Sequence, residues 1–265
     1  MLVNENNDAV NGGTSTDERP SRKLVQTVPK AATLVAQSIV NEISEYGYAP
    51  GHRLASELQM MKEYGVARGT LREALRILEH HGVIRVRSGP GGGPMVQNPG
   101  AGHLASTLAL LMQVKKVPVS AVLELRTLTE PLLSALAADR ITADQLARLD
   151  ENLSTMQDSL DDDRAFVSAN MRFHQLVAEA SGNVLLASIV ESLDHILDRK
   201  LAITYSPRVR RAIHQSHAEI LAKLRDGDPQ EARAAMWQHL RDSERFFARG
   251  THRLLNDTIE WRASD

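Results

Sequence analysis

Apolar positions follow mixed helix and strand spacing in the first third of the chain and helix spacing throughout the remainder. Regular periodicity begins near Lys30. Val35, Ile39, Ile43 and Tyr46 fall on one stripe, and Gly47 with Pro50-Gly51 ends that helix. Ser56 is placed to cap a short second helix running to about Tyr64, and Gly65 makes a turn. A third helix is expected from Arg68 to His81, with Leu71, Ala74, Leu75 and Leu78 as its buried face. Arg72, Glu73, Arg76 and His80 face away, Arg68 stands at the N-terminal edge, and Gly82 closes the helix through its tolerance of positive φ. Val83 to Arg87 reads as a strand, Ser88 to Pro94 as a glycine-rich turn, and Met95-Val96-Gln97 as the return strand.

Beyond Asn98 the spacing predicts helices over about 103–115, 119–139, 142–160, 162–181, 183–203, 207–226 and 228–249, with room for a short one at the end. Val122, Leu125, Leu132, Leu133 and Leu136 are expected to form the apolar face of the second of these. Pro131 inside it should bend it. Asp228-Pro229 joins a cap to a first-turn proline. The expected fold is therefore mainly α: an N-terminal winged helix-turn-helix with a small β wing, then an antiparallel all-α bundle. The boundaries are a disordered tail at 1–28, a winged domain at 29–97, a linker at 98–102 and a helical domain at 103–265.

Charge sharpens this division. Residues 20–100 carry ten Lys/Arg against six Asp/Glu, whereas 101–265 carry twenty against twenty-three. A basic front suits a nucleic-acid module and an acidic rear suits something else. The chain has no cysteine, no apolar run long enough to span a bilayer and no apolar leader, so a cytoplasmic protein without a membrane role is expected. The glycine run at 89–93 is no phosphate loop, because Pro94 and an apolar strand follow where Gly-Lys-Ser/Thr should open a helix.

The chemistry of the third helix is that of a DNA reader. Arginine presents paired donors that match guanine O6 and N7, and it also binds phosphate. Arg68 and Arg72 occupy the first turns, which approach base edges in such motifs, and Arg76 follows on the same side. Thr70 suits a phosphate or a thymine methyl. Arg87, Ser88 and Gly89 suit the backbone and minor groove beside the wing. An ordinary solvated arginine face is the alternative.

Two resemblances bear on these residues. Pro50-Gly51-His52-Arg53-Leu54-Ala55-Ser56-Glu57 and Val66-Ala67-Arg68-Gly69-Thr70-Leu71-Arg72-Glu73-Ala74-Leu75 resemble the pG-x-x-LPSE and VSR-x-TVREAL segments of GntR-family regulators. The likeness implies DNA contacts by Arg53, Arg68, Thr70, Arg72, Arg76, Arg87, Ser88 and Gly89. The chain departs at Ala55, Ala67 and Gly69. Loss of serine at 67 removes a helix cap, and Gly69 costs about 1 kcal/mol of helix propensity. Farther on, five segments resemble the FCD effector domain of the FadR subgroup: Glu124-Leu125-Arg126 with Glu130-Pro131, Asn170 to His174, Ser181-Gly182-Asn183, Ser216 to Ile220, and Gln238-His239-Leu240.

That second resemblance implies a divalent transition metal, zinc or nickel, held by Asn170, His174, His217 and His239. Asn170 stands where the family has aspartate, so the ion would be less neutralised and an anionic effector held more strongly. Arg126 and Asn170 would contact that effector, a small carboxylate. Arg126 has a second reading as an i,i+4 salt bridge to Glu130. His195 and His214 are expected to be structural. The function implied is a homodimeric regulator, most often a repressor, on a palindromic double-stranded operator. The alternatives are a metal-dependent hydrolase fused to a DNA-binding module and a bundle whose metal only stabilises the fold.

Overall fold

The computed structural model describes residues 30–89, 91–200, 205–250 and 255–261, without the side chains of 198–200 and 247–250. The expected N-terminal tail, Pro90 at the wing tip and the predicted extension of one helix to 203 lie outside the described residues.

The first unit is built from α1 (Ala31–Glu45), α2 (Glu57–Glu63), α3 (Arg68–His80), β1 (Ile84–Arg87) and β2 (Gly93–Val96). Ser56 accepts a hydrogen bond from Gln59 N and caps α2, whereas α3 starts at Ala67 without a side-chain cap. The predicted buried face of α3 is the observed one: Leu71, Ala74, Leu75 and Leu78 pack with Val35, Ala36 and Ile39 of α1. Tyr46 does not join the stripe of α1. It follows the last helical residue, where the chain turns away, and its ring lies exposed and stacked on Tyr48.

β1 and β2 pair antiparallel, from Ile84↔Val96 to Arg87↔Gly93. The chain at 51–54 lies along the other edge of β2, with Val96 N donating to His52 O (2.8 Å) and Leu54 N to Pro94 O (3.0 Å). The sequence pattern missed this third rung because the segment is too short to show alternation. Glu79 Oε1 accepts from Val86 N (2.8 Å), fastening the wing to the third helix.

The remaining helices are α4 (Ala101–Lys115), α5 (Val119–Arg140), α6 (Ala143–Asp158), α7 (Asp163–Ala180), α8 (Val184–Lys200), α9 (Pro207–Asp226) and α10 (Pro229–Gly250). α5 is central and packs against α7, α8, α9 and α10, while α4 lies along α8. Caps follow the sequence: a Thr142/Gln145 capping box on α6, Asp162 on α7, Ser206 with Pro207 on α9, and Asp228 on α10.

Two expectations are corrected. α4 begins at Ala101, so the connection between domains ends at Gly100 rather than at 102. Leu125 and Leu132 are exposed, and Leu136 is half-buried. Being central, α5 buries an arc of Val119, Val122, Leu123, Glu130, Pro131, Leu133, Ser134, Ala137 and Ala138, which leaves the leucine stripe outside.

The two units touch where His103 of α4 packs on Gly82. Gly82 has φ +71°, and a Cβ there would stand 2.5 Å from the imidazole ring. Gly82→Ala therefore combines a left-handed backbone with a clash, and it should destabilise the folded protein by about 1–2 kcal/mol from the backbone alone. Thermal melting of the variant against the parent checks this.

Candidate nucleic-acid interface and metal centre

α3 turns its leucine face inward, so the opposite face carries Arg68, Arg72 and Arg76 at intervals of one turn, all exposed. Arg68 Nε lies 3.6 Å from Glu57 Oε2, a loose contact that leaves its side chain 70% accessible. Thr70 is half-buried beside them. Arg87, Ser88 and Gly89 are exposed at the wing, and Arg53 joins the wing through its bridge to Met95. All eight predicted DNA-contacting residues thus lie on the third helix, on the wing or beside it. Arg85 was missed. It alternates with Arg87 on the outer face of β1, and strand periodicity would have revealed it.

Inside the bundle the chemistry changes from exposed cations to buried imidazoles. His174 of α7, His217 of α9 and His239 of α10 are buried, with ligand-capable atoms all within 4.8 Å of one another. His217 Nε2 lies 3.2 Å from His239 Nε2, which lies 3.4 Å from His174 Nε2. Each outer nitrogen has its own partner. His174 Nδ1 faces Glu130 Oε2 at 2.5 Å, so it carries the proton. His239 Nδ1 faces Ser216 Oγ at 2.7 Å; that hydroxyl donates to Ile213 O, so it accepts from the ring. His217 Nδ1 faces the weak acceptor Met156 Sδ at 3.3 Å. These partners assign the Nδ1–H tautomer to all three rings.

Three Nε2 lone pairs then converge on one small region. Burial, followed by the neighbouring histidines, holds the pKa of both His217 and His239 well below the usual imidazole range, so the rings are neutral. Converging lone pairs repel unless a cation lies between them. Tetrahedral zinc, bonded to imidazole nitrogen at about 2.0–2.1 Å, places its ligands about 3.3–3.4 Å apart. The two spacings at His239 match, and all three donors lie within 4.8 Å of one another, so the donor set fits a divalent transition metal.

Sequence reasoning named Glu130 only as a salt-bridge partner. The structure places it between Arg126 Nε and His174 Nδ1, each 2.5 Å away. Burial opposes its charge, but Arg126 and His174 overcome this and draw its pKa down to about 2. The i,i+4 reading of Arg126 is thus realised, and Arg126 Nη2 also lies 3.4 Å from Asp194 Oδ1 of α8. Asp194 was missed, although it shares a helix face with buried Val190, Leu193 and Leu197, an unusual place for a carboxylate. Burial raises its pKa to about 6. Asn170 is half-buried one turn before His174 on α7, a spacing that shares a face. His214 Nε2 donates to Leu153 O (3.2 Å) as a structural group, whereas His195 is exposed rather than buried.

Comparison with known proteins joins these two sites in one family. Residues 31–92 match the bacterial regulatory proteins of the gntR family, and residues 121–242 match the FCD domain. The chain belongs to the GntR family. It is 29% identical over 217 residues to the HTH-type transcriptional repressor NanR of Cronobacter sakazakii, covering 80% of this chain and 83% of the relative. The NanR repressor of Klebsiella aerogenes is 28% identical over 218 residues, with 80% and 83% covered. A solved GntR protein of Streptococcus agalactiae superposes with a TM-score of 0.69 at 26% identity, over 81% of this chain and 99% of that one. This GntR-family chain is thus a DNA-binding regulator with a sensory helical domain, and not an enzyme. No helix among the described residues is long and apolar enough to cross a membrane.

Two outcomes follow from the centre. Glu130→Gln removes the charge that orients His174 and should weaken zinc affinity about 10- to 100-fold, read by competition with a chelating dye. The second concerns acid. In metal-free protein His217 and His239 stay neutral where the unfolded chain takes up protons below about pH 6.5. Asp194 acts oppositely, binding its proton in the folded state from about pH 6 downward. Two groups outweigh one, so stability should fall between pH 6.5 and 4.5 by about 1.4 kcal/mol per pH unit for each net proton. Denaturant unfolding in the presence of chelator measures the slope.

Proposed function

We propose that this chain is a cytoplasmic homodimeric repressor that reads a palindromic operator and is controlled by a small carboxylate held with a divalent metal in the bundle. The observation that carries the reading is the pairing of an exposed arginine ladder on α3 with a buried cluster of three pinned histidines in one chain. The repressor sign comes from the relatives' names.

Arg72 would reach guanine in the major groove, with Arg68 and Arg76 on either side and Thr70 at a phosphate. Arg53, Arg87, Ser88 and Gly89 would follow the backbone at the wing. In the bundle, His174, His217 and His239 would hold zinc or nickel, with the Asn170 carboxamide as a fourth, uncharged ligand. Bound there, the metal would supply a positive charge and sites for effector oxygens. Where aspartate would cancel part of that charge, Asn170 leaves it in place. One extra unit at about 4 Å is worth up to about 4 kcal/mol toward an anion at an effective dielectric of 20. Arg126 would supply the second charge. A groove of about 820 Å³ between α9 and α10, lined by Tyr205, Ile213, Ser216 and His239 among others, reaches His239 from outside.

Support for a second copy comes from the outer face of α5. Leu125, Leu128 and Leu132 recur at i, i+3 and i+7 and are exposed, a stripe that an identical helix could cover about a two-fold axis.

The experiment is binding to DNA enriched from a random pool by the wild-type chain. Arg72→Ala should weaken binding to the enriched site about 10- to 100-fold and relax the preference at one base pair of each half-site. Unchanged affinity would remove α3 from the reading role.

A further inference from the structure

Arg126 already faces two carboxylates. Glu130 is held on both oxygens at 2.5 Å, by Arg126 and by His174. Asp194 is held differently. It is fully buried, its Oδ1 lies 3.4 Å from Arg126 Nη2, and neither of its oxygens has a hydrogen-bond partner among the described residues. Arg126 Nη2 is likewise buried without one. A charged pair out of water without hydrogen bonds is a poor arrangement for both members. An incoming carboxylate that bonded Arg126 properly would compete with Asp194 and not with Glu130, since Glu130 has a second anchor.

What Asp194 is attached to gives the competition a direction. Two residues earlier on α8, the buried Ser192 Oγ lies 3.1 Å from the carbonyl oxygen of Ala101, the first residue of α4, and 2.6 Å from Ser188 O, so its one proton is shared between α4 and α8. α4 lies against α8 and buries Ala101, Ala105 and Ala109, small side chains that allow close approach. Two residues into α4, His103 covers Gly82, whose substitution by any larger residue would meet the ring at 2.5 Å. Gly82 lies two residues beyond the end of α3, and its N–H donates to Glu79 O at 3.0 Å. Glu79 in turn holds the wing through Val86 N.

We propose that Asp194 is an internal stand-in for the effector's carboxylate on Arg126, and that its displacement moves α8, then α4 through Ser192, then the end of α3 and the wing through His103. This rests on the function proposed above, in that it supplies the route by which the effector site acts on DNA reading. Each joint is a close polar or steric contact between neighbouring elements, so a shift at Asp194 is passed along α8 and α4 toward Gly82. The two-state element that both sites bias is the seating of α4 on α8.

The test uses the full chain, DNA enriched by wild type from a random pool, and amide exchange read by mass spectrometry. With no ligand present, Asp194→Asn loosens the hold on Arg126. It should weaken DNA binding about 5- to 100-fold, the usual span of allosteric coupling, and speed exchange at residues 79–83. In a Ser192→Ala or a His103→Ala background, the same substitution should change DNA affinity by less than about twofold, because the route is cut. A folded Asp194→Asn protein with wild-type affinity overturns the proposal, and so does an effect that persists undiminished in both backgrounds. If Asp194→Asn does not fold, Ser192→Ala alone decides. Faster exchange at 79–83 supports the route, and unchanged exchange there overturns it. Failure of the wild type to enrich any sequence would instead refute the DNA-reading role, and the exchange experiment would still stand.

Discussion

The Glu130 carboxylate is the constraint around which the helical domain is organised. It lies buried between the Arg126 guanidinium and the His174 ring. A lone carboxylate at that depth would be prohibitively desolvated, so it must be answered on both oxygens. Arg126 answers one and keeps the charge; His174 answers the other and in doing so fixes its own tautomer. Only then does His174 Nε2 turn a lone pair toward His239 and His217. The convergence of imidazoles is thus a consequence of a charge pair on the central helix, much as outer carboxylates orient metal-binding histidines elsewhere.

The DNA-binding unit obeys a different rule. Its core is small, and the third helix is held by four apolar residues and an edge contact from Glu79 to the wing. Nothing buried opposes the arginines, which project freely because the leucine face cannot. One unit therefore keeps its charges in solvent, ready for phosphates and base edges, while the other also buries the Glu130 and Asp194 carboxylates beside Arg126. The units meet through α4, where an imidazole rests on a glycine that no other residue could replace without displacement.

Much of this was legible in the amino-acid pattern. The buried face of α3, the Ser56 cap, the uncapped start at Ala67 and the starts at Pro207 and Pro229 all follow from spacing and side-chain chemistry. Other features resisted for identifiable reasons. Leu125 and Leu132 look like core because periodicity reports an apolar face without saying which neighbour covers it. Asp194 went unnoticed because an acidic residue in a helix is ordinarily solvated. Its partner, Arg126, is 68 positions earlier in the chain. Glu130 was visible as an i,i+4 partner, but its link to His174 spans 44 positions and three-dimensional packing alone creates it.

Alone, the order of residues determined which segments are helical, where most of them begin, and that the arginine ladder and the three clustered histidines belong to separate halves. Those are local properties, set by spacing, caps and turn glycines within a few residues of one another. Tertiary structure decided which carboxylate orients which imidazole, that three ring nitrogens share one locus, and that α8 touches both Arg126 and the first residue of α4. Such facts depend on how distant helices pack, and the free energy of pairing buried charges exists only once that packing has excluded water.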